Sequence, residues 1–268
     1  MNNTAVAFSP SSSESSLLLW LIAVVVTVMS AHVMLGWVRQ AQAEPALRKS
    51  WIAMLVGAGT LGTGLCSAIV LALTSEALGF PIGFHVWAAP ALWLGAMLGS
   101  LPVVALLVRS QRWWALLLAG WLLVALAAAV QVGWITAVGF RPGLRWREEL
   151  AAGAVTLMVV GILSGLWTAF GDAARQRDRA ALWNFVGALM VGLSIVGGQL
   201  LLMVAAGIEQ QRGALYARPL SGAVLSLACG VVIPLVLAMM AVELAMRQPS
   251  RSRRSGSGKR RRHRVRGL

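Results

Sequence analysis

The sequence predicts an all-α fold, a bundle of seven transmembrane helices. Three observations predict it. Charged residues make up 12% of the 268 and hydrophobic residues 58%, with a mean hydropathy of +0.76. A soluble domain carries about 25% charged residues, so a water-soluble globule of this composition would lack the polar surface to cover itself. The apolar residues gather into seven runs, each close to the ~20 residues that cross a bilayer core as a helix. Within each run Leu, Val and Ala lie all around the helix rather than along one stripe, and the roughly ten-residue alternation of a membrane strand is missing.

The first run, Leu17–Val38, follows a serine-rich segment, 1–16, that has no Lys or Arg. A cleaved signal peptide needs a positive flank there, so the run is read as a retained helix and 1–16 as a disordered extracytoplasmic N-terminus. The second, Trp51–Thr74, is lined by Gly57, Gly59, Gly62 and Gly64, small residues that permit close helix approach. The third, Val86–Val108, contains Gly95-x3-Gly99, with Pro90 and Pro102 as expected kinks. The fourth, Trp113–Ala137, starts at two tryptophans suited to the membrane interface and carries Gln131 near its end. The fifth, Glu149–Gly171, contains Gly161-x3-Gly165. The sixth, Leu182–Ala206, holds Asn184 and Gln199, and the seventh, Pro219–Met246, holds Pro234 and Glu243. Together they define a membrane domain over 17–246 and a basic tail over 247–268.

The net charge of +14 belongs mostly to that tail, which holds ten of the 23 Lys and Arg residues and no acid. The remaining 13 basic and nine acidic residues leave the membrane domain near +4. Loops after the first, third and fifth runs, with the tail, carry 18 positive charges, and the opposite loops carry five. Positive loops stay in the cytoplasm, so the N-terminus is expected outside and the C-terminus inside. In the tail, Arg251, Arg253, Arg254, Lys259, Arg260, Arg261, Arg262 and Arg264 form a disordered polybasic stretch suited to anionic inner-leaflet lipid. No aromatic residues interleave to stack on bases, so specific nucleic-acid binding is not expected.

Composition also excludes chemistry. The nine acids are scattered, which argues against a carboxylate-driven hydrolase or a calcium protein, and Cys66 and Cys229 cannot supply a disulfide framework or a four-thiolate zinc site. The chain has no phosphate loop, nucleophile elbow or paired carboxylates within a span. It is not expected to be an enzyme.

Runs two to seven read as three helix pairs, over roughly 51–108, 113–171 and 182–246. Gln131 and Gln199 lie 68 residues apart, and Gly153–Gly222 and Gly161–Gly230 each 69 apart, the mark of a two-helix repeat. Within this pattern, Gly62-Thr63-Gly64-Leu65-Cys66-Ser67-Ala68-Ile69-Val70 is followed by Phe80-Pro81-Ile82-Gly83-Phe84-His85. The third pair offers Ala188-Leu189-Met190-Val191-Gly192-Leu193-Ser194-Ile195. These stretches resemble the MHYT family of bacterial integral membrane sensory domains across most of 17–246.

The resemblance implies seven helices in a multi-pass protein of the bacterial cytoplasmic membrane, built as one helix plus three repeated pairs. It also implies a sensory role exercised through a membrane or cytoplasmic signalling partner. In that family each pair carries a Met-His motif near the outer face that holds a metal such as copper. Here Ala68-Ile69, Val130-Gln131 and Gly198-Gln199 stand at those positions. Copper needs imidazole or thioether donors in such a setting, so no cofactor is expected and the metal site reads as degenerate. Gln131, Gln199 and His85 are then the candidate ligand-binding residues, in the outer half of the bundle. The expected function is a non-catalytic sensor or accessory module, and the alternative is a small-solute transporter or channel.

Overall fold

The computed structural model describes residues 10–44, 46–75, 82–110, 112–141, 146–171, 180–207, 213–215 and 220–247. The tail residues Arg251 to Arg264 lie outside the described residues, as do the extreme N-terminus and the Phe80-Pro81 pair. Among the described residues seven long helices follow in chain order: α1 (Pro10–Ala43), α2 (Leu47–Ser75), α3 (Ala88–Arg109), α4 (Trp113–Val138), α5 (Glu148–Phe170) and α6 (Ala180–Ala205). The last, α7, runs through Gly222–Leu227, a π-helical turn at Ala228–Val232, and Ile233–Arg247. All seven are long and apolar enough to cross a membrane. The chain is a multi-pass membrane protein whose outward helix faces meet lipid.

Helix α1 exceeds the expected span at both ends. It begins at Pro10, a residue whose missing N–H costs nothing in a first turn. It runs on past Val38 through Arg39 and Gln42, whose side chains have partners on other helices. The prolines behave differently from one another. Pro90 sits in the first turn of α3, where its missing N–H breaks no intrahelical hydrogen bond, whereas Pro102 lies inside that helix. Pro234 directly follows the π turn, in which the Ile233 N–H reaches back to the Ala228 carbonyl. A proline clashes with the carbonyl four residues before it, and widening the preceding turn relieves that crowding.

The helices are joined up and down, so the connections fall alternately at two ends. At one end, the loop end, the segments after α2, α4 and α6 are tied by short antiparallel ladders. They contain β1 (Gly83–Phe84), β2 (Phe140–Arg141), β3 (Gly213–Ala214) and β4 (Leu220–Ser221), with β1 paired to β4 and β2 to β3. Further backbone bonds knit the same end: His85 N–H to the Ala137 carbonyl at 3.1 Å, Arg147 N–H to Ala205 at 2.8 Å, and Leu215 N–H to Gly139 at 2.9 Å. Gly139 closes α4 in the left-handed region at φ 67°, a conformation glycine adopts without strain.

The opposite, tail end is closed by side chains. Arg39 Nη2 donates to the Ala169 carbonyl at 2.7 Å, with its guanidinium 5.8 Å from the Phe170 ring centroid. Gln42 Nε2 donates to the Leu107 carbonyl at 2.7 Å. Helices α5 and α3 end in carbonyls that need donors, and α1 supplies them, in one case with a cation at the negative end of the dipole.

Burial is uneven. In α2, 78% of the span is enclosed, against 11% in α7. The core forms two clusters. A mainly tail-side cluster draws on α1 to α6 with Leu244 of α7 and extends to Ala154 and Leu202 near the loop end, and a loop-side cluster is built around the later turns of α2 and α4. Close packing is made by small residues. Gly165 and Gly187 face each other across α5 and α6, where a Cβ on either would meet the other's carbonyl at 2.8 or 2.6 Å. The expected seam at Gly161-x3-Gly165 is therefore real. The Gly95-x3-Gly99 pair is not one seam: Gly99 meets Leu126, but nothing lies within 4 Å of a Cβ placed on Gly95.

Candidate functional site

The loop-side core contains the polar and polarizable groups that a purely structural apolar core would omit. Trp134 of α4 is fully buried, stacked edge-to-face on Phe84 at 5.2 Å and on Trp93 at 6.0 Å. Trp93 Nε1 donates to Thr63 Oγ1 of α2 at 3.3 Å. The Cys66 sulfur lies within reach of the Trp134 indole, which makes no conventional hydrogen bond, and approaches the Leu92 carbonyl at 3.9 Å. Cys229, on the π turn of α7, faces the Ser67 hydroxyl. Both cysteines are free and buried.

Gln131 precedes Trp134 by three residues, so both fall on one face of α4. It is 0% exposed, and neither its Oε1 nor its Nε2 has a hydrogen-bond partner. Gln199 of α6 is 1% exposed, and its Nε2 is likewise unpaired. Most buried hydroxyls, by contrast, are satisfied within their own helix, as with Thr27 to Ala23 and Ser100 to Ala96, each at 2.7 Å. The amides cannot close such a bond and stand out for that reason.

The placement of the two amides is matched. In α4, Ala127 belongs to the tail-side cluster and Ile135 to the loop-side cluster, with Gln131 midway. In α6, Gln199 lies between Ile195 and Leu202 of the first cluster, with Met203 of the second just beyond, and in α2 Ile69 belongs to the loop-side cluster, four residues past Leu65 of the other. All three central residues are at most 1% exposed. Each lies six or seven residues before the end of its helix. At 1.5 Å per residue they share one depth to within about a turn.

His85 sits apart from them. It lies between β1 and α3, and its backbone N–H docks on Ala137, one helical turn and more beyond Gln131. The unpaired atoms of Gln131 exclude a hydrogen bond from that amide to either His85 or Gln199. No hydrogen bond therefore joins Gln131 to the other two candidate residues. His32, in the tail-side half of α1, packs edge-on to Phe185 at 6.0 Å. Among the described residues no three His, Cys, Asp or Glu side chains come together as a metal site would require. Of the residues that shape this region, sequence reasoning missed Trp93, Trp134 and the Cys66–Cys229 neighbourhood. The one available signal was that Cys66 and Ser67 continue the Gly62-Thr63-Gly64 run.

No family model, curated protein or solved structure matches the chain.

Proposed function

We propose that the chain is a non-catalytic membrane sensor or accessory module on an MHYT-like plan, inserted in a bacterial cytoplasmic membrane with its N-terminus outside. It recognises a small polar ligand in the outer, loop-side half of the bundle and acts through a signalling partner on the tail side. The observation that carries this reading is the matched trio Ile69, Gln131 and Gln199, each enclosed and each six or seven residues before the end of its helix. The same trio stands where the resembled family has its motif histidines. A repeat of helix pairs is supported by the ladders, which draw one strand from each of the first two outer loops to the third. Two amides and an isoleucine cannot replace three imidazoles, so the recognition is by hydrogen bond rather than by metal.

Metal analysis of the full chain, purified in mild detergent from cells grown with added copper, tests this. The expected result is copper far below stoichiometry. About one copper per chain, lost in His85→Ala, would overturn it.

The π turn in α7 favours a second reading, as a small-solute transporter or channel, because interrupted helices line substrate paths in transporters. Solute uptake into proteoliposomes that disappears in Gln131→Leu or Gln199→Leu would decide for it.

A further inference from the structure

Helix α7 is seated on the bundle at both ends and bridges a gap between them. On the loop side, the Gly222 N–H donates to the Ile82 carbonyl at 3.0 Å, and a Cβ on Gly230 would reach Leu71 and Ile22 at 3.7 and 3.8 Å. On the tail side, Leu244 rests on Gly36 of α1. The π turn and Pro234 fall between these supports, where they redirect the helix from α2 toward α1. Helices α2 and α3 also part toward the tail side. A Cβ on Gly62 would meet the Met97 backbone nitrogen at 2.5 Å, whereas one on Gly59, nearly a turn earlier, would meet only the Met97 methyl at 3.1 Å. The result is an apolar groove of about 370 Å³ walled by α2, α3 and α7. On α7 it starts at Ile233, directly after the π turn.

We infer that this groove is a binding site for one hydrocarbon chain of a membrane lipid, held by its chain whatever its headgroup. The chain lies along Gly59, Met97, Leu237 and Met240.

Depth, polarity and size carry the assignment. Along α2 the groove runs from Leu55 to Thr63, about 12 Å at 1.5 Å per residue. It stops about 12 Å short of the start of α2 at Leu47, so it lies at acyl depth, beneath the headgroups. Leu55 and Val236 at its rim are about half exposed, which makes it continuous with the surface that meets lipid. Its two hydroxyls are engaged: Thr60 Oγ1 donates to the Gly57 carbonyl at 2.8 Å, and Thr63 Oγ1 accepts from Trp93 Nε1 at 3.3 Å. An ordered water needs about two to four polar partners, which walls of Leu, Val, Ile and Met do not supply. Left empty, the groove would forfeit the dispersion contacts of its lining, and α7, held at both ends, does not close it. A partner's transmembrane helix is too thick, since at about 10–12 Å across the same length of it fills roughly 900 Å³ or more. A single acyl chain is thin, apolar and supplied sideways by the bilayer. The site rests on the chain being a multi-pass membrane protein and not on the sensory reading or on which side is the cytoplasm.

The test is photolabelling of the full chain in nanodiscs, with phosphatidylcholine that carries a diazirine midway along one acyl chain and peptide mass spectrometry as the readout. Label is expected to concentrate on 55–63 of α2 and 236–240 of α7. It should exceed by about threefold or more the label at Val160, a lipid-facing residue of α5 at similar depth. Phosphatidylglycerol bearing the same acyl chain is expected to label the groove equally. Val236→Trp, at the exposed rim, covers the groove and is expected to bring its labelling down to the Val160 level. Gly59→Leu fills it from the α2 side, against the flexible end of Met97, and is expected to do the same. Labelling no higher than at Val160, labelling that depends on the headgroup, or labelling unchanged in both variants would each overturn the assignment. Disulfide-linked pairs of Val236→Cys chains would overturn it too, by showing that a second copy covers the groove.

Discussion

At the tail end the core is Leu, Val, Ala, Ile and Met with Trp37 and Phe170, and the ends of α3 and α5 are closed by the side chains of Gln42 and Arg39. At the loop end the core takes in two thiols, two stacked indoles and the Gln131 amide, and closure is by backbone ladders. Both halves meet the same lipid and bury similar helices. A polar atom inside a lipid-bounded bundle costs free energy unless it is paired, so membrane insertion alone does not explain the loop-side composition. The contrast lies in the thiols, indoles and amide of the loop-side half and in how each end is closed, since unpaired buried polar atoms occur on the tail side too, at His32 Nδ1 and Asn184 Oδ1. That the loop-side half serves recognition is the proposal to be tested.

Trp134→Ala should give the largest effect, because it removes a fully buried indole and both of its edge-to-face contacts. A loss of about 3–5 kcal/mol is expected, read from denaturant unfolding in mixed micelles. A loss below about 1 kcal/mol would mean that the loop-side cluster is loosely packed and that the contrast between the halves is overstated. Next in size is Gly187→Val. The added side chain would press on the Gly165 carbonyl and on Ala169, and overpacking of this kind costs about 1–3 kcal/mol. Cysteine cross-linking between α5 and α6 should report the seam opening while the loop-side half stays intact.

These two positions also mark what could be read from the sequence. Gly161-x3-Gly165 announced its seam because small residues at that spacing have few other uses in a membrane helix. Gly95-x3-Gly99 has the same spacing, yet its first glycine faces open space, so spacing alone does not say which helix face meets a neighbour. The seven spans were legible because length and hydropathy are local properties. Gln131 and Gln199 were legible as rare polar residues in apolar runs. Trp134 was not, since a tryptophan near a span end reads equally well as an interfacial anchor, and only the approach of Phe84 and Trp93 from distant segments encloses it. Arg39 was hidden in the same way: its partner lies 130 residues away on α5.

Arg39→Ala tests the closure of the tail end. The lost bond is charge-assisted, and about 1.5–3 kcal/mol is expected, with faster hydrogen exchange confined to the last turn of α5. Arg39→Lys should recover only part of this, because an ammonium lacks the planar face that lies over Phe170. Exchange rising equally at the loop end would argue that the two ends are not independent.

The smallest expected effect bears on the central claim. If the buried amides serve recognition, they do not hold the bundle together, and exchanging them for leucine removes unpaired polar atoms from an apolar core. Unfolding of the Gln131→Leu/Gln199→Leu double variant, measured in the same micelles, tests this most directly. The expected result is a folded protein at least as stable as the parent, within about 1 kcal/mol or above it. A loss of more than about 2 kcal/mol would show that the amides are paired structural groups, and would contradict the division of the bundle into a packing half and a recognition half.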